Sequence, residues 1–178
     1  MHTSPRETNL LGALGIVLSD ALDDAAELAG GASPAAALVA LHGTSAGGSI
    51  DALARRIGLS HSGTVRLVDR LTREGLVERR RGGDQRSTAL VLTPQGRRAA
   101  RRMLSRREAN LRSLASLLTG DQRSALAELA DALLAAVAID RGAESRVCRL
   151  CDLEACGRSR GRCPVAPPAR RRTPRSKL

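Results

Sequence analysis

The sequence predicts a mainly α-helical fold with one small β-hairpin. Three observations predict it: apolar residues recur at helical spacing along most of the chain, glycines and capping residues cut that pattern into short units, and two neighbouring stretches alternate with period two. Its 178 residues suit one domain with an appendage. Phe, Trp and Tyr are all absent. The core must therefore come from Leu, Ala, Val and Ile, which favours helices packed through small side chains. The same absence excludes the aromatic platforms on which single-stranded nucleic acids stack.

Apolar residues from Leu10 through Val17 to Ala29 predict a first helix, ended by Gly30 and Gly31. Ser33 as cap and Pro34 as first helical residue predict a second helix stopping near Gly43. Ser49 opens a third, with Ile50, Leu53, Ala54 and Ile57 on one face and Gly58 at its end. After Gly58-Leu59, Ser60 caps a fourth helix running through Val65, Val68 and Leu71 to Glu74, closed by Gly75. Two short helices joined by a glycine turn make a helix-turn-helix. Leu76 to Arg81 and Thr88 to Thr93 alternate in part around Gly82-Gly83-Asp84-Gln85-Arg86, a hairpin placed as a wing. Thr93-Pro94 starts a long helix reaching about Leu118. Gly120-Asp121 breaks and restarts the pattern, which continues through Leu126, Leu129, Leu133 and Val137. Neither of these last helices has an evident partner in a small winged unit, so with the first helix they predict a subunit interface. The organisation expected is an N-terminal dimerisation helix (1–32), a winged helix-turn-helix (33–93), C-terminal dimerisation helices (94–141), a four-cysteine segment (142–164) and a disordered basic tail (165–178).

The charge is as segmented as the pattern. The net charge of +11 hides an acidic start, with one basic and six acidic side chains over 1–54, and a basic centre, with 16 basic and 5 acidic over 55–112. A localised positive face steers a polyanion, and the partner it predicts is double-stranded DNA. In a helix-turn-helix the N-terminal residues of the second helix meet base edges. Here these are His61, Ser62, Thr64 and Arg66, short polar groups and an arginine able to chelate guanine, while Arg70 is placed for phosphate. Arg86 at the wing tip suits a narrow minor groove, and Asp84 beside it suits holding the guanidinium in orientation. A merely solvated helix face would explain the arginines alone, but not their position after a glycine turn and before a wing.

The run from Gly58 to Leu71, the following Glu74-Gly75-Leu76-Val77-Glu78-Arg79, the wing Asp84-Gln85-Arg86-Ser87 and the strand Leu90-Val91-Leu92-Thr93 resemble the MarR family of bacterial transcriptional regulators. The resemblance spans roughly residues 8 to 140. It implies a dimeric winged helix-turn-helix protein, commonly a repressor, that binds a pseudo-palindromic operator and is released by a small-molecule effector or by oxidation. Ser62, Thr64 and Arg66 would then face the major groove, with Arg86 in the minor groove oriented by Asp84. The chain departs from the pattern in lacking aromatic residues for a flat effector, in lacking an N-terminal cysteine, and in adding a cysteine segment.

That segment holds every cysteine of the chain: Cys148, Cys151, Cys156 and Cys163. A Cys-x2-Cys pair delivers two thiolates from one turn, and two more complete a tetrahedral site, so Zn2+ is the cofactor expected. An iron–sulfur cluster, suggested by Cys163-Pro164, and a thiol–disulfide switch are the alternatives. Nothing resembling a catalytic Ser/His/Asp set, a zinc-protease helix or a phosphate-cradling glycine loop is present, so no enzyme is expected. The apolar run Leu10 to Leu18 is too short to span a bilayer and no export signal is evident, which predicts a cytoplasmic protein without membrane attachment. The function expected is sequence-specific regulation of transcription. A non-specific DNA- or RNA-associated protein and, further behind, a thiol or metal enzyme are the competing classes.

Overall fold

The computed structural model describes residues 3–44, 47–81, 88–138 and 147–165. Six helices and one hairpin follow in the order α1 (Pro5–Glu27), α2 (Ala32–His42), α3 (Ile50–Ile57), α4 (His61–Arg73), β1 (Val77–Arg81), β2 (Thr88–Leu92), α5 (Pro94–Ala115) and α6 (Gly120–Val137). The mainly helical fold with a two-stranded wing is as expected, and among the described residues no helix is long and apolar enough to cross a membrane. The wing tip, with Asp84 and Arg86, and the basic tail lie outside the described residues.

Local chemistry explains most boundaries. Ser49, Ser60 and Thr93 cap α3, α4 and α5, each side-chain oxygen accepting a backbone N–H from the first turn, a contribution of about 1 kcal/mol per cap. Two starts differ from expectation. Helix α1 begins at Pro5, ahead of the apolar pattern, because Ser4 and Glu7 cap each other reciprocally at 3.2 and 2.8 Å. Helix α2 is capped by Gly31, not Ser33: Gly31 has φ 107°, a conformation closed to serine, and Ser33 lies inside the first turn.

Helix α2 is the axle of the molecule. Every residue from Pro34 to Leu41 is buried, an apolarity on all sides that only a central helix can use, and α1, α3, α4, α5 and β2 all pack on it. Its four buried alanines (Ala35, Ala36, Ala37 and Ala40) let those neighbours approach closely, so a core of Leu38, Val68, Leu71, Leu90 and Met103 closes without an aromatic ring.

The hairpin is antiparallel, with Val77 opposite Leu92 and Arg81 opposite Thr88. Gly48 adds a bridge that the alternation does not reveal, exchanging backbone hydrogen bonds with Leu90 at 3.1 and 2.8 Å. The wing is locked to α5 at Gly96, where a Cβ would stand 2.0 Å from the Leu76 carbonyl oxygen. Thr93 joins the same corner by donating to Gly75 O at 2.6 Å and accepting from Gly96 N at 3.0 Å.

The expectation that neither C-terminal helix has a partner within the chain is half corrected. The first half of α5 buries Gly96, Ala99, Ala100 and Met103 against the winged unit, and the helix packs on both α1 and α2. Arg106 donates to Asp24 at 2.8 Å, and Asn110 donates to Asp24 and to Ala21 O at 2.8 and 2.9 Å, stitching α5 to α1. Helix α6 buries nothing: Leu126, Leu129, Leu133 and Val137 are all exposed, as are Leu10, Leu11, Leu14 and Val17 of α1.

Candidate functional site

The helix-turn-helix is built by two caps and one left-handed glycine. Gly58 ends α3 with φ 71°, its N–H bonded to Ala54 O, and Ser60 restarts the chain by accepting from Gly63 N at 3.1 Å. Helix α4 then divides cleanly. Thr64, Leu67, Val68 and Leu71 turn inward. The 100° step per residue puts Ser62, Arg66, Asp69 and Arg73 on the opposite side, where all four are exposed.

This division corrects one predicted contact. Thr64 is fully buried and its hydroxyl donates to Ser60 O at 2.9 Å, so it packs the helix onto the core and does not reach a groove. Ser62 and Arg66 do present themselves outward. His61 is exposed, yet its Nδ1 stands 2.7 Å from Asp51 Oδ1 on α3, which makes it a tie across the corner between the two helices. Arg70 leans to the flank: its Nε donates to Glu74 at 2.8 Å, and its guanidinium closes on the α1–α2 turn, 3.0 Å from where a Cβ on Gly30 would stand.

Two positioning residues were not among the predicted ones. Asp69 on the outer face of α4 accepts from Arg79 of β1 at 2.8 Å, joining recognition helix to wing as Asp51 joins it to α3. Both pairs span ten residues. No helical spacing flags such pairs; they meet because the glycine turn and the hairpin fold back. Arg80 and Arg81, both exposed, follow Arg79 along β1; alternation puts Arg79 and Arg81 on one face and Arg80, paired with Glu78, on the other, and the Arg79–Asp69 pair sets the strand beside the outer face of α4. That arrangement can neutralise several phosphates while holding a polar helix tip at one angle.

The cysteines form a lobe of consecutive tight turns. Cys148–Leu150 and Arg158–Arg160 are single 3-10 turns, and Gly157 and Gly161 take left-handed φ of 69° and 66° between and after them. Cys148 and Cys163 are buried in one small cluster with Val165, and Cys151 and Cys156 pack against it half-buried. No disulfide joins them. The Cys156 thiol is pushed above its ordinary value chiefly by burial, with Cys163 and Cys151 adding, against the backbone N–H of Arg158, which favours the thiolate. Among the described residues no group of three or more His, Cys, Asp or Glu stands arranged to hold a metal ion.

A family model described as the MarR family matches residues 33–87. Solved structures extend the likeness in fold to 72–75% of the chain. RV1404 from Mycobacterium tuberculosis is similar at TM-score 0.64 and 22% identity over 75% of this chain and 94% of its own. The YusO protein from Bacillus subtilis reaches 0.62 at 22% over 74% and 97%. A mutant of Staphylococcus aureus MepR bound to an oligodeoxyribonucleotide reaches 0.57 at 17% over 72% and 96%. Identities this low establish the fold. No curated protein matches the chain. The segment 33–87, which holds the helix-turn-helix and the first wing strand, is thus similar to the MarR family model, and the chain shares the fold of these structures.

Proposed function

We propose that the protein is a homodimeric regulator of transcription, a repressor, that reads a pseudo-palindromic duplex site with the outer face of α4 and grips the flanking backbone with the wing. The observation that carries this reading is the exposed outer face of α4, with Ser62, Arg66 and Arg73, whose helix is joined to α3 by the His61–Asp51 pair and to the wing by the Arg79–Asp69 pair. The basic centre supplies salt-dependent attraction and Arg66 supplies base discrimination. The wing tip, Asp84 and Arg86, completes the grip in the minor groove.

Dimerisation is supported by the uncovered apolar stripes of α1 and α6, which in a single copy expose Leu14, Val17, Leu129 and Leu133 at 45, 46, 62 and 55%. Two copies set by a two-fold axis would present two recognition helices to successive turns of the groove. The MepR complex with an oligodeoxyribonucleotide shows a protein of this fold on DNA.

Selection from random duplex DNA tests the reading. A two-fold symmetric site should emerge, bound with affinity that falls steeply with salt. Arg66→Ala should flatten base preference more than Arg79→Ala, whose loss loosens the wing. Recovery of no preferred sequence, or equal loss by both variants on every duplex, would return the protein to the non-specific basic class.

A further inference from the structure

The described part of the cysteine lobe, residues 147–165, buries the side chains of only Cys148, Cys163 and Val165. A core of that size cannot hold a succession of turns in place; segments so small are held by cross-links or metals. What the lobe offers instead of a core is sulfur. The Cys148-x2-Cys151 turn closes on a Cys151 N to Cys148 O bond of 3.1 Å, and an Asp152 cap accepting from Glu154 N and Ala155 N at 2.9 and 3.0 Å returns the chain to Cys156. Gly157, buried and left-handed, then folds the chain back, with Arg162 N bonded to its carbonyl at 3.1 Å, to bring in Cys163. Cys156 lies within side-chain hydrogen-bonding reach of Cys163 and close enough to feel Cys151.

Both donors and acceptors surround these sulfurs. The Arg158 backbone N–H points at Cys156 Sγ, and the Arg158 guanidinium reaches Cys148 Sγ at 4.0 Å. Cys151 Sγ stands 3.8 Å from Val147 O and Cys156 Sγ 3.4 Å from Leu153 O.

The lobe is also wedged between two parts of the fold. Leu134 and Ala138, at the end of α6, pack on the cysteine cluster. On its other side Leu150 packs on the main core, and Leu153 presses against the end of α2, its Cδ1 2.7 Å from where a Cβ on Gly43 would stand. A cavity of about 610 Å³ lies along this seam, lined by His42, Arg56, Leu104, Cys151 and Leu153 among others.

We propose that Cys148, Cys151, Cys156 and Cys163 bind one borderline-soft divalent cation of the zinc class as a four-thiolate site, and that the loaded lobe clamps the end of α6 to α2 and α3. Four donors of this type at this charge suit a closed tetrahedral site. Among the described residues no three of them stand in a metal-holding array, so loading must draw the clustered sulfurs together. Four thiols lose four protons to solvent and the complex carries a formal charge of −2, offset by Arg149, Arg158, Arg160 and Arg162 around it. No electron is transferred. The proposal stands apart from DNA reading and survives its failure.

The test is anaerobic titration of the full chain with Co2+. The expected result is saturation at one ion per chain with the intense visible bands of tetrahedral thiolate coordination, displacement by Zn2+, and protection of all four cysteines from alkylation by Zn2+. Cys156→Ser and Cys163→Ser should each weaken Zn2+ by more than about tenfold, the smaller loss seen when even an outer partner of a ligand is removed. Absence of those bands with alkylation indifferent to Zn2+, or iron with acid-labile sulfide in protein purified without oxygen, overturns the site. Amide hydrogen exchange tests the clamp: Zn2+ should slow exchange in 38–44, 50–57 and 134–138 of the wild type and not of Cys156→Ser. Slowing confined to 147–165 overturns the clamp.

Discussion

Helices α4 and α6 are both amphipathic, of 13 and 18 residues, and they meet opposite fates. The apolar face of α4 is covered by its own chain, with Leu67, Val68 and Leu71 at or below 9% exposure, whereas Leu126, Leu129, Leu133 and Val137 of α6 remain between 44 and 62%. The difference teaches which surface is free to read and which is waiting to be covered. Rigidity at α4 comes from within the molecule, through the core beneath it and ion pairs at its flanks. Helix α6 is supported only at its end, where Leu134 packs on the cysteine cluster, and a single copy leaves its stripe in water, which burial in a second copy would relieve.

The largest effect should come from breaking that stripe. Leu129→Asp with Leu133→Asp would remove on the order of 6 kcal/mol from a two-fold contact in which each leucine counts twice. Sedimentation should show monomers whose winged unit melts as before, because neither residue packs within the chain. A variant that stays dimeric places the contact elsewhere. Next, Gly96→Ala should cost about 1–3 kcal/mol or more in urea unfolding, since the new methyl meets backbone at Leu76 and neither element can yield without moving the wing.

The two faces of α4 itself can be separated more finely. Arg66→Ala should cost about 1–3 kcal/mol on the selected duplex with no change in melting temperature. Thr64→Val should do the reverse, leaving discrimination intact while altering stability by about 1.5 kcal/mol at most, because Ser60 O keeps its bond from Thr64 N. Discrimination lost in Thr64→Val would contradict its burial. The smallest effect lies at the α1–α5 seam. Hydrogen bonds from Arg106 and then Asn110 hold the Asp24 carboxyl below its usual 3.8. A depressed folded value stabilises the protein above the unfolded value and the gain is lost as pH falls through the folded one. Asp24→Asn should therefore be the less stable protein at neutral pH and match the wild type in acid, as read by unfolding at the two conditions.

The turns and caps around the reading helix were legible because each rests on a few adjacent residues: Ser49 and Ser60 supply oxygens, and Gly58 supplies a positive φ. The same holds for the hairpin and for Thr93-Pro94. Thr64 was misread because proximity to a helix start says nothing about which way a side chain turns; its period with Leu67, Val68 and Leu71 carries that information and points inward. His61 was read as a contact with DNA; what the reading could not supply is its tie to Asp51, a partner ten residues earlier that comes near only once α3 and α4 cross. Helix α5 was read as lacking a partner because its buried residues are Gly96, Ala99, Ala100 and Met103. So small a face announces itself weakly, yet it lets the Leu76 backbone come to where a Cβ on Gly96 would stand.

Where each helix begins and stops follows from chemistry between near neighbours, and that much is written in the chain read end to end. Which side of a helix is covered depends on residues far away along it. The Ala-rich flanks of α2 select the inward side of α4, the wing supplies the partner for Asp69, and the cysteine turns come to rest between α6 and α2. Burial is a property of the assembled neighbours, and local spacing cannot carry it.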